Sequence, residues 1–374
     1  MGKDTLEIAI NGIKLVLIFL MMVQAVPILV WLERRGSAFI QNRFGPNRVG
    51  PLGLLQLAAD AVKFLFKEEF SPAHGIKALF YLAPVIAMVP AALALAAIPL
   101  GYPLHWDNYL FRMQGYEINV GIVFILGVSS LAAYALLCAG FGSGNKYALL
   151  GALRASAQMI SYELALGLSI VGVILLFGTF NLSEMIHLQD GPLTFSFLGQ
   201  AFTVSWLPNW GIFYQPLGAL IFLAATFAES NRMPFDLPEG EAELVAGFHV
   251  EYGGFKMLMF FIGEYGHMMV GSALMITFFF GGYGIPWVSM DQLSHWANGL
   301  VASENLAGLI VSLITLVSFF TKLALFLWLF IQVRWTLPRF RYDQVMDLGW
   351  KTMLPWALGN TIATALIIFI AHLK

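Results

Sequence analysis

Carboxylate side chains are concentrated in one stretch of the chain, from Ala228 to Glu251, between two apolar runs. Pro234 and Pro238 forbid a regular helix at its start, and an irregular segment is tolerated at membrane depth only against protein or water. Mutual repulsion and desolvation would draw some pKa values of this segment towards neutrality, as a proton relay requires. A solvated acidic loop is the alternative interpretation. The carboxylates are Glu229, Asp236, Glu239, Glu241, Glu243 and Glu251, against a single arginine, Arg232.

Four further ionisable residues lie inside long apolar runs, namely Glu163, Glu264, His267 and Lys322. A charge at the bilayer centre costs on the order of 2.5–3.5 kcal/mol on insertion scales, so such residues usually face a polar interior and mark an ion or proton path. Glu264 and His267 are three residues apart and share one face of a helix, where they could exchange a proton. A buried core histidine explains His267 equally well, and Lys322 could be the counter-charge of a buried carboxylate.

Arginines are crowded at the end of the first apolar run, where Glu33, Arg34 and Arg35 are followed by Arg43 and Arg48. A carboxylate beside two arginines can form a forked ion pair, which would hold a polar cavity open at the membrane boundary. Topology signalling and contacts with lipid phosphates are the alternative, and they account well for Arg43 and Arg48.

The segment from Pro51 to Glu69 is predicted to be an amphipathic helix. Gln56, Asp60, Lys63 and Lys67 fall on one face of it, and the other side is apolar and includes Phe64. This pattern is typical of a helix in the headgroup plane whose apolar side faces acyl chains or a lipid-like ligand tail. An ordinary interfacial helix without a ligand would show the same pattern.

These residues sit in a chain of 374 residues that is 59% hydrophobic and only 11% charged, a composition typical of an integral membrane protein. The net charge of -2 says little about partners, and no nucleic acid is expected among them. Cys138 is the one cysteine, so the chain has no thiolate set for an iron–sulfur cluster, and another chain must supply any redox centre. The N-terminus lacks the features of a secretory signal, so the first apolar run should be retained as a span.

The hydropathy pattern predicts an all-α integral membrane protein with eight transmembrane helices and a cytoplasmic-side amphipathic helix. Basic residues follow the odd-numbered spans, whereas only Arg112 follows an even-numbered one, which predicts both termini outside. Residues 1–374 are expected to form a single domain, with external hairpin loops near residues 101–119, 181–210 and 283–305. The predicted spans are Ile13 to Leu32, Leu79 to Leu100, Val120 to Gly140, Gln158 to Gly178, Phe213 to Ala228, Phe255 to Gly282, Leu306 to Val333 and Met353 to Ala371.

Five segments, in order along nearly the whole chain, closely resemble the membrane subunit of respiratory complex I that is designated H in bacteria and chain 1 in mitochondria. The family fold is an eight-helix bundle with the topology inferred above. The external loops, notably residues 181–210, depart most from the family. The matching segments are Glu33-Arg34-Arg35 with Arg43-Phe44-Gly45-Pro46-Asn47, Gly53 to Glu68, Tyr147 to Glu163, Ala228 to Tyr252, and Pro338 to Gln344.

The resemblance implies that this chain builds the membrane part of a long quinone chamber and a chain of buried acids leading away from it. By position, the quinone-binding residues would be Glu33, Arg34, Arg35, Arg43, Asp60, Phe64, Met233, Phe235 and Asp236. The proton path would comprise Glu229, Asp236, Glu239, Glu241, Glu243, Glu251, Glu264 and Glu163, with Lys322 and Arg334 as charge partners. Quinone reduction would alter protonation of the acids and so bias neighbouring membrane subunits towards proton transfer.

The resemblance also implies a substrate, a set of partners and a cellular location for the chain. Its bound substrate would be a quinone, ubiquinone or menaquinone, with no flavin, iron–sulfur cluster or metal in this chain. Its partners would be membrane lipid and other complex I subunits, which comprise cluster-bearing and quinone-module peripheral subunits, small membrane subunits and antiporter-like subunits. The location would be the bacterial cytoplasmic (inner) membrane.

Two other functions fit parts of the pattern. A membrane subunit of an energy-converting hydrogenase or formate hydrogenlyase shares the fold and the acidic loop, but the arginine-rich first loop and the amphipathic helix favour the quinone enzyme. A stand-alone secondary transporter would also bury Glu and Lys, yet such transporters usually contain an inverted repeat, and none is apparent here.

Overall fold

Long apolar helices carry most of the chain in the computed structural model, which describes residues 3–106, 109–197, 200–236, 247–301 and 303–372. In chain order the helices are α1 (Lys3–Ile40), α2 (Gln56–Phe66), α3 (Lys77–Ala97), α4 (Gly121–Ser129), α5 (Leu131–Ser143), α6 (Lys146–Phe177), α7 (Leu182–Leu188), α8 (Gly211–Tyr214), α9 (Pro216–Glu229), α10 (Gly254–Phe279), α11 (Met290–Leu300), α12 (Glu304–Thr336), α13 (Tyr342–Asp347) and α14 (Leu354–His372).

Seven helical segments of the described ranges are long and apolar enough to cross a bilayer. They are α1, α3, α4 together with α5, α6, α10, α12, and α13 together with α14. The mostly helical membrane fold is thereby confirmed, although several helices run well beyond the predicted spans. Polar residues such as Glu33 therefore lie within α1 rather than in the loop after it.

The fifth predicted span corresponds to α9, which has only 14 residues. At 1.5 Å per residue it is about 21 Å long, shorter than the roughly 30 Å hydrocarbon core. The helix begins at Pro216. Proline is tolerated at this position because the first backbone N–H groups of a helix have no partner within it. The count of eight spans and the orientation of the termini remain predictions.

The segments between the long helices are more structured than the sequence suggested. Two small antiparallel hairpins pair β1 (Leu104–Trp106) with β2 (Tyr109–Phe111) and β3 (Pro192–Phe197) with β4 (Gln200–Pro208). The third expected hairpin loop instead contains α11, which begins with a capping box at Ser289. The predicted amphipathic helix is confirmed as α2, but it ends at Phe66, so Lys67 lies beyond it.

Helix α10 lies at the centre of the bundle and is buried along most of its length. Small residues allow its neighbours to approach closely. A Cβ atom on Gly263 would lie 2.6 Å from the carbonyl oxygen of Ala87 in α3, and one on Gly271 would overlap the Thr226 side chain in α9. These glycines fix the backbones that surround the ionisable residues of α10.

A proline in α3 provides an attachment point for the segment that follows the acidic stretch. Pro84 has no N–H to donate to the carbonyl of Phe80, four residues earlier. The Tyr252 hydroxyl donates to that carbonyl at 3.2 Å, and its ring stacks on the Phe80 ring at 4.3 Å. Burial raises the pKa of Tyr252, so its hydroxyl remains a neutral donor.

Candidate functional site

The carboxylate of Glu33, near the end of α1, binds groups from three other parts of the chain. One oxygen lies 2.5 Å from Nη1 of Arg334 in α12. The other accepts a hydrogen bond of 2.6 Å from the Tyr265 hydroxyl in α10 and lies 3.4 Å from Nη1 of Arg232. Glu33 is only 8% exposed, so these contacts compensate for the water that its charge has lost.

Arg232 connects Glu33 to Glu264. Its Nε lies 2.9 Å from Oε1 of Glu264, and its guanidinium carbon lies 3.9 Å from the centre of the Tyr265 ring. Burial disfavours the charged guanidinium, but Glu264, Tyr265 and Glu33 outweigh that cost and raise the pKa of Arg232 above its usual range. We call Glu33, Arg232, Glu264, Tyr265 and Arg334 the bridge cluster.

The turn that presents Arg232 is held by hydrogen bonds to the bundle. Asn231 has a φ of 50°, in the left-handed region that asparagine tolerates better than most residues. Gln158, fully buried in α6, donates from its amide nitrogen to the carbonyls of Ala228 and Phe235, both at 2.8 Å. These two bonds fix the beginning and the end of the turn, and thus the position of Arg232.

Asp236 and Asp60 lie beside the bridge cluster in two further ion pairs. Asp236 is buried and pairs with Arg339 at 3.0 Å. Asp60 in α2 pairs with Arg34 at 2.7 Å and accepts a hydrogen bond from Gln56 at 3.0 Å. The Arg34 side chain is 49% exposed, so water and salt screen this pair far more than the bridge cluster.

Glu264 also lines a cavity of about 50 Å³ that lies between α3, α5, α6, α9 and α10. We call it the acid cavity. Its polar lining includes Glu229, Asn231, Glu264 and His267. Glu229 interacts electrostatically with Glu163 and forms a hydrogen bond with the Ser129 side chain. Two ionisable residues expected inside apolar runs, Glu264 and His267, thus face one shared space.

Several predicted residues lie away from these groups. Glu251 accepts a hydrogen bond from the side chain of Asn145 at 3.0 Å. The Lys322 ammonium donates to the backbone carbonyls of Phe280, Gly282 and Gly284, at the opposite end of α10 from Arg232. Its three hydrogens are therefore used by carbonyls, which leaves none for a carboxylate. Glu239, Glu241 and Glu243 lie outside the described residues.

The remaining predicted quinone residues have contacts outside the bridge cluster. The Arg35 guanidinium lies over the Trp31 ring at 5.1 Å, and Arg43 donates to the Gln41 side chain at 2.7 Å. Phe64 meets Phe261 of α10 edge to face, and the Phe235 ring packs against Tyr162 and Phe340. Met233 precedes Pro234 in the turn after Arg232.

Sequence reasoning overlooked Arg232, Tyr265 and Gln158 as parts of the site. Arg232 could have been predicted from the sequence, because a single cation among acidic residues beside an apolar run needs carboxylate partners. Tyr265 follows Glu264 directly, but adjacent helical residues do not face each other, so no pattern in the chain joined them through Glu33. Gln158 acts through backbone carbonyls, which carry no sequence pattern.

The fold and the two sites define a polytopic membrane protein with a buried network of ion pairs at one end of its helical bundle. The family model described as NADH dehydrogenase matches residues 13–365. Among similar proteins, the NADH-quinone oxidoreductase subunit designated H in Bdellovibrio bacteriovorus is 68% identical over the whole of both chains. The subunit designated H 1 in Cytophaga hutchinsonii is 44% identical over 90% of each chain, and the one designated H 2 in Koribacter versatilis is 41% identical over 98% of this chain and 99% of its own. The chain belongs to this family of complex I membrane subunits, designated H in bacteria and chain 1 in mitochondria.

Proposed function

We propose that the chain forms the membrane part of the quinone chamber in a proton-pumping NADH-quinone oxidoreductase, and that its buried acids couple quinone reduction to proton translocation. The bridge cluster is the observation that carries the proposal. Glu33 and Glu264 compete there for Arg232 within a buried site. Negative charge that develops on a reduced headgroup nearby would draw the arginines away from these carboxylates and raise their affinity for protons.

The amphipathic helix α2 supports an entrance for an apolar quinone tail. Phe64 contacts Phe261 of α10, and the neighbouring Leu65 and Phe66 are exposed. An isoprenoid tail could lie along this apolar side while the headgroup approaches Arg34, Asp60 and the bridge cluster. Arg35, Arg43, Met233, Phe235 and Asp236 would form the rest of the chamber wall.

Protons would move from the bridge cluster through Glu264 into the acid cavity, and then to Glu229 and Glu163. The shared cavity supports the first step, and the interaction between Glu229 and Glu163 supports the second. Asp236, Glu239, Glu241, Glu243 and Glu251 would extend the acidic path, with Arg334 as a charge partner. Lys322 would stabilise the fold of α10 rather than exchange protons.

The same proposal covers the membrane, the topology and the neighbouring subunits of the chain. It would form one transmembrane domain of eight spans in the bacterial inner membrane, with both termini outside. The redox groups and most contacts with the quinone headgroup would lie on peripheral subunits. The change in protonation of the acids would act on the small membrane subunits and the antiporter-like subunits. In this chain the quinone would be a bound substrate, with no flavin or iron–sulfur cluster.

The relay is tested with Glu264→Gln and Glu163→Gln in the assembled complex, reconstituted in liposomes. Glutamine keeps the side-chain shape but cannot carry the proton. We expect both variants to lose proton pumping and to slow quinone reduction, by about 100-fold or more for Glu264→Gln, at the low end of what positioned acid–base groups contribute. NADH oxidation by a water-soluble acceptor should stay at the wild-type rate.

Glu304→Gln is the matched control, because Glu304 is exposed in the first turn of α12 and outside both sites. It should leave every rate unchanged. Normal quinone reduction together with normal pumping in Glu264→Gln and Glu163→Gln would reject the relay.

A further inference from the structure

His267 is a buried histidine of α10 with two different ring nitrogens. The ring forms a hydrogen bond with the backbone carbonyl of Ala87 in α3. Nε2 is buried and has no hydrogen-bond partner among the residues that the structure describes. A neutral imidazole has one donor and one acceptor, so Nδ1–H donates to Ala87 and Nε2 is the acceptor.

The unpaired nitrogen belongs to a residue that lines the acid cavity together with Glu229 and Glu264. The Asn231 side-chain oxygen, also buried and unpaired among the described residues, belongs to another residue of the same lining. A buried acceptor without a donor is rare in folded proteins, because its lost hydration is not replaced. Such acceptors require donors, and a protonated carboxyl group or a bridging water in the cavity would supply them.

We propose that His267 is a member of the proton path, taking a proton on Nε2 from the carboxyl group of Glu264 and passing it to Glu229, directly or through water. This inference rests on the proposed function, since it assigns a further residue to the same relay. The O–H bond of Glu264 breaks as the N–H bond at Nε2 forms, while Nδ1–H stays on the Ala87 carbonyl. The proton then leaves Nε2 for a Glu229 carboxylate oxygen, so His267 returns to its neutral form, Glu264 is left as a carboxylate and Glu229 becomes a neutral acid.

Two acidic residues and a second histidine line the cavity together with His267. Glu264 faces the cavity from α10, one turn away, and its carboxylate after transfer remains beside Arg232. Glu229 faces it from α9 and interacts electrostatically with Glu163, so a proton arriving there relieves repulsion between like charges. His249 is the titratable side chain facing the cavity from the turn at residues 247–249, whereas α3 and α6 contribute Ala87 and Met159.

The alternative role is purely structural, with His267 joining α10 to α3. Gly263 already brings the two backbones together at Ala87, one turn before His267. Asparagine at position 267 would place an amide N–H close to the position of Nδ1 and keep the bond to Ala87. Glutamine would place an amide near Nε2 and keep the polarity of the cavity, but neither amide takes up a proton.

The test compares His267→Asn and His267→Gln in the complete complex, using proton pumping and quinone reduction across the pH range in which an imidazole titrates. We expect pumping to slow about tenfold in both variants, less than the largest effects of acid–base groups because water can still carry some protons. Any pH-dependent step of the wild-type rate in this range should disappear. Ser272→Ala, also in α10 but bonded to its own helix through the Met268 carbonyl, should behave as wild type.

Wild-type pumping and an unchanged pH profile in His267→Asn would overturn the proposal, because a structural role is rescued by that variant. If one variant fails to assemble, the other still decides the question. A loss of pumping in Glu264→Gln but not in either His267 variant would leave the relay intact and remove only His267 from it. Normal pumping in all three variants would reject the relay as well.

Discussion

Helices α10 and α12 are joined through basic side chains at two places, by different means. Near one end of the pair, Arg334 and Arg232 bind the carboxylates of Glu33 and Glu264. About 18 Å away along α12, at 1.5 Å per residue, the Lys322 ammonium lies 2.6–2.9 Å from three backbone carbonyls and 4.8 Å from the Trp210 ring.

The two arrangements differ in whether their acceptors can change charge. Backbone carbonyls do not titrate, and Gly281 and Gly282 hold them in place with φ values of 68° and 55°. Carboxylates gain or lose protons when the cations beside them are drawn elsewhere. The Lys322 end can therefore anchor the helices, while the bridge cluster can respond to a charge that appears beside it.

The largest effect is expected from Arg232→Leu. Removal of the guanidinium leaves Glu264 buried beside an apolar side chain, and breaking a buried ion pair costs about 3–5 kcal/mol. We expect quinone reduction to fall by about 100-fold or more, or the membrane arm to fail to assemble. Arg232→Lys keeps the charge but cannot reach Glu33 and Glu264 at once, so it should assemble and show an intermediate rate. Wild-type quinone reduction in Arg232→Leu would remove the bridge cluster from the mechanism.

Tyr265→Phe should have a smaller effect confined to one hydrogen bond. The variant keeps the ring beneath Arg232 but loses the hydroxyl that donates to Glu33, and a bond to a charged group contributes about 1.5–3 kcal/mol. We expect the apparent KM for quinone to rise about tenfold, with NADH oxidation by a water-soluble acceptor unchanged. Tyr283→Phe, on the far side of the bundle, is the matched control, and an equal rise in that variant would show that the effect is not specific to Glu33.

The smallest effect on activity is expected from Lys322→Met. The apolar side chain leaves three carbonyls without their donor, which costs about 1–3 kcal/mol of folding free energy per unsatisfied buried group. The complex should inactivate at a lower temperature, yet quinone reduction and pumping per assembled complex should match the wild type. A normal inactivation temperature with lost pumping would place Lys322 in the proton path and contradict the contrast between the two ends.

The sequence predicted the structure correctly where a physical rule links the type of a residue to its place in a helix. The apolar runs predicted the long helices because their backbone groups must pair internally, and the spacing of Gln56, Asp60 and Lys63 predicted α2. Glu33 was singled out because it lies beside two arginines, whereas Arg334 was named from the resemblance. Their direct contact was not predicted, because 301 residues of chain separate them.

The other parts of the site depend on tertiary packing that leaves no local pattern. Gln158 holds the turn at the end of α9, and α10 approaches α3 closely at Gly263 beside the acid cavity. Nε2 of His267 is buried in the same region. Apolar patterning alone could not distinguish His267 in a packed core from His267 at a cavity wall.

Protonation of the bridge cluster on quinone reduction can be observed directly by infrared difference spectroscopy of the reduced against the oxidised complex. We expect a change in the carboxylic acid C=O stretching region that disappears in Glu264→Gln and persists in Glu304→Gln. A difference spectrum in that region that is the same in Glu264→Gln as in the wild type would show that the bridge cluster takes up no proton when the quinone is reduced.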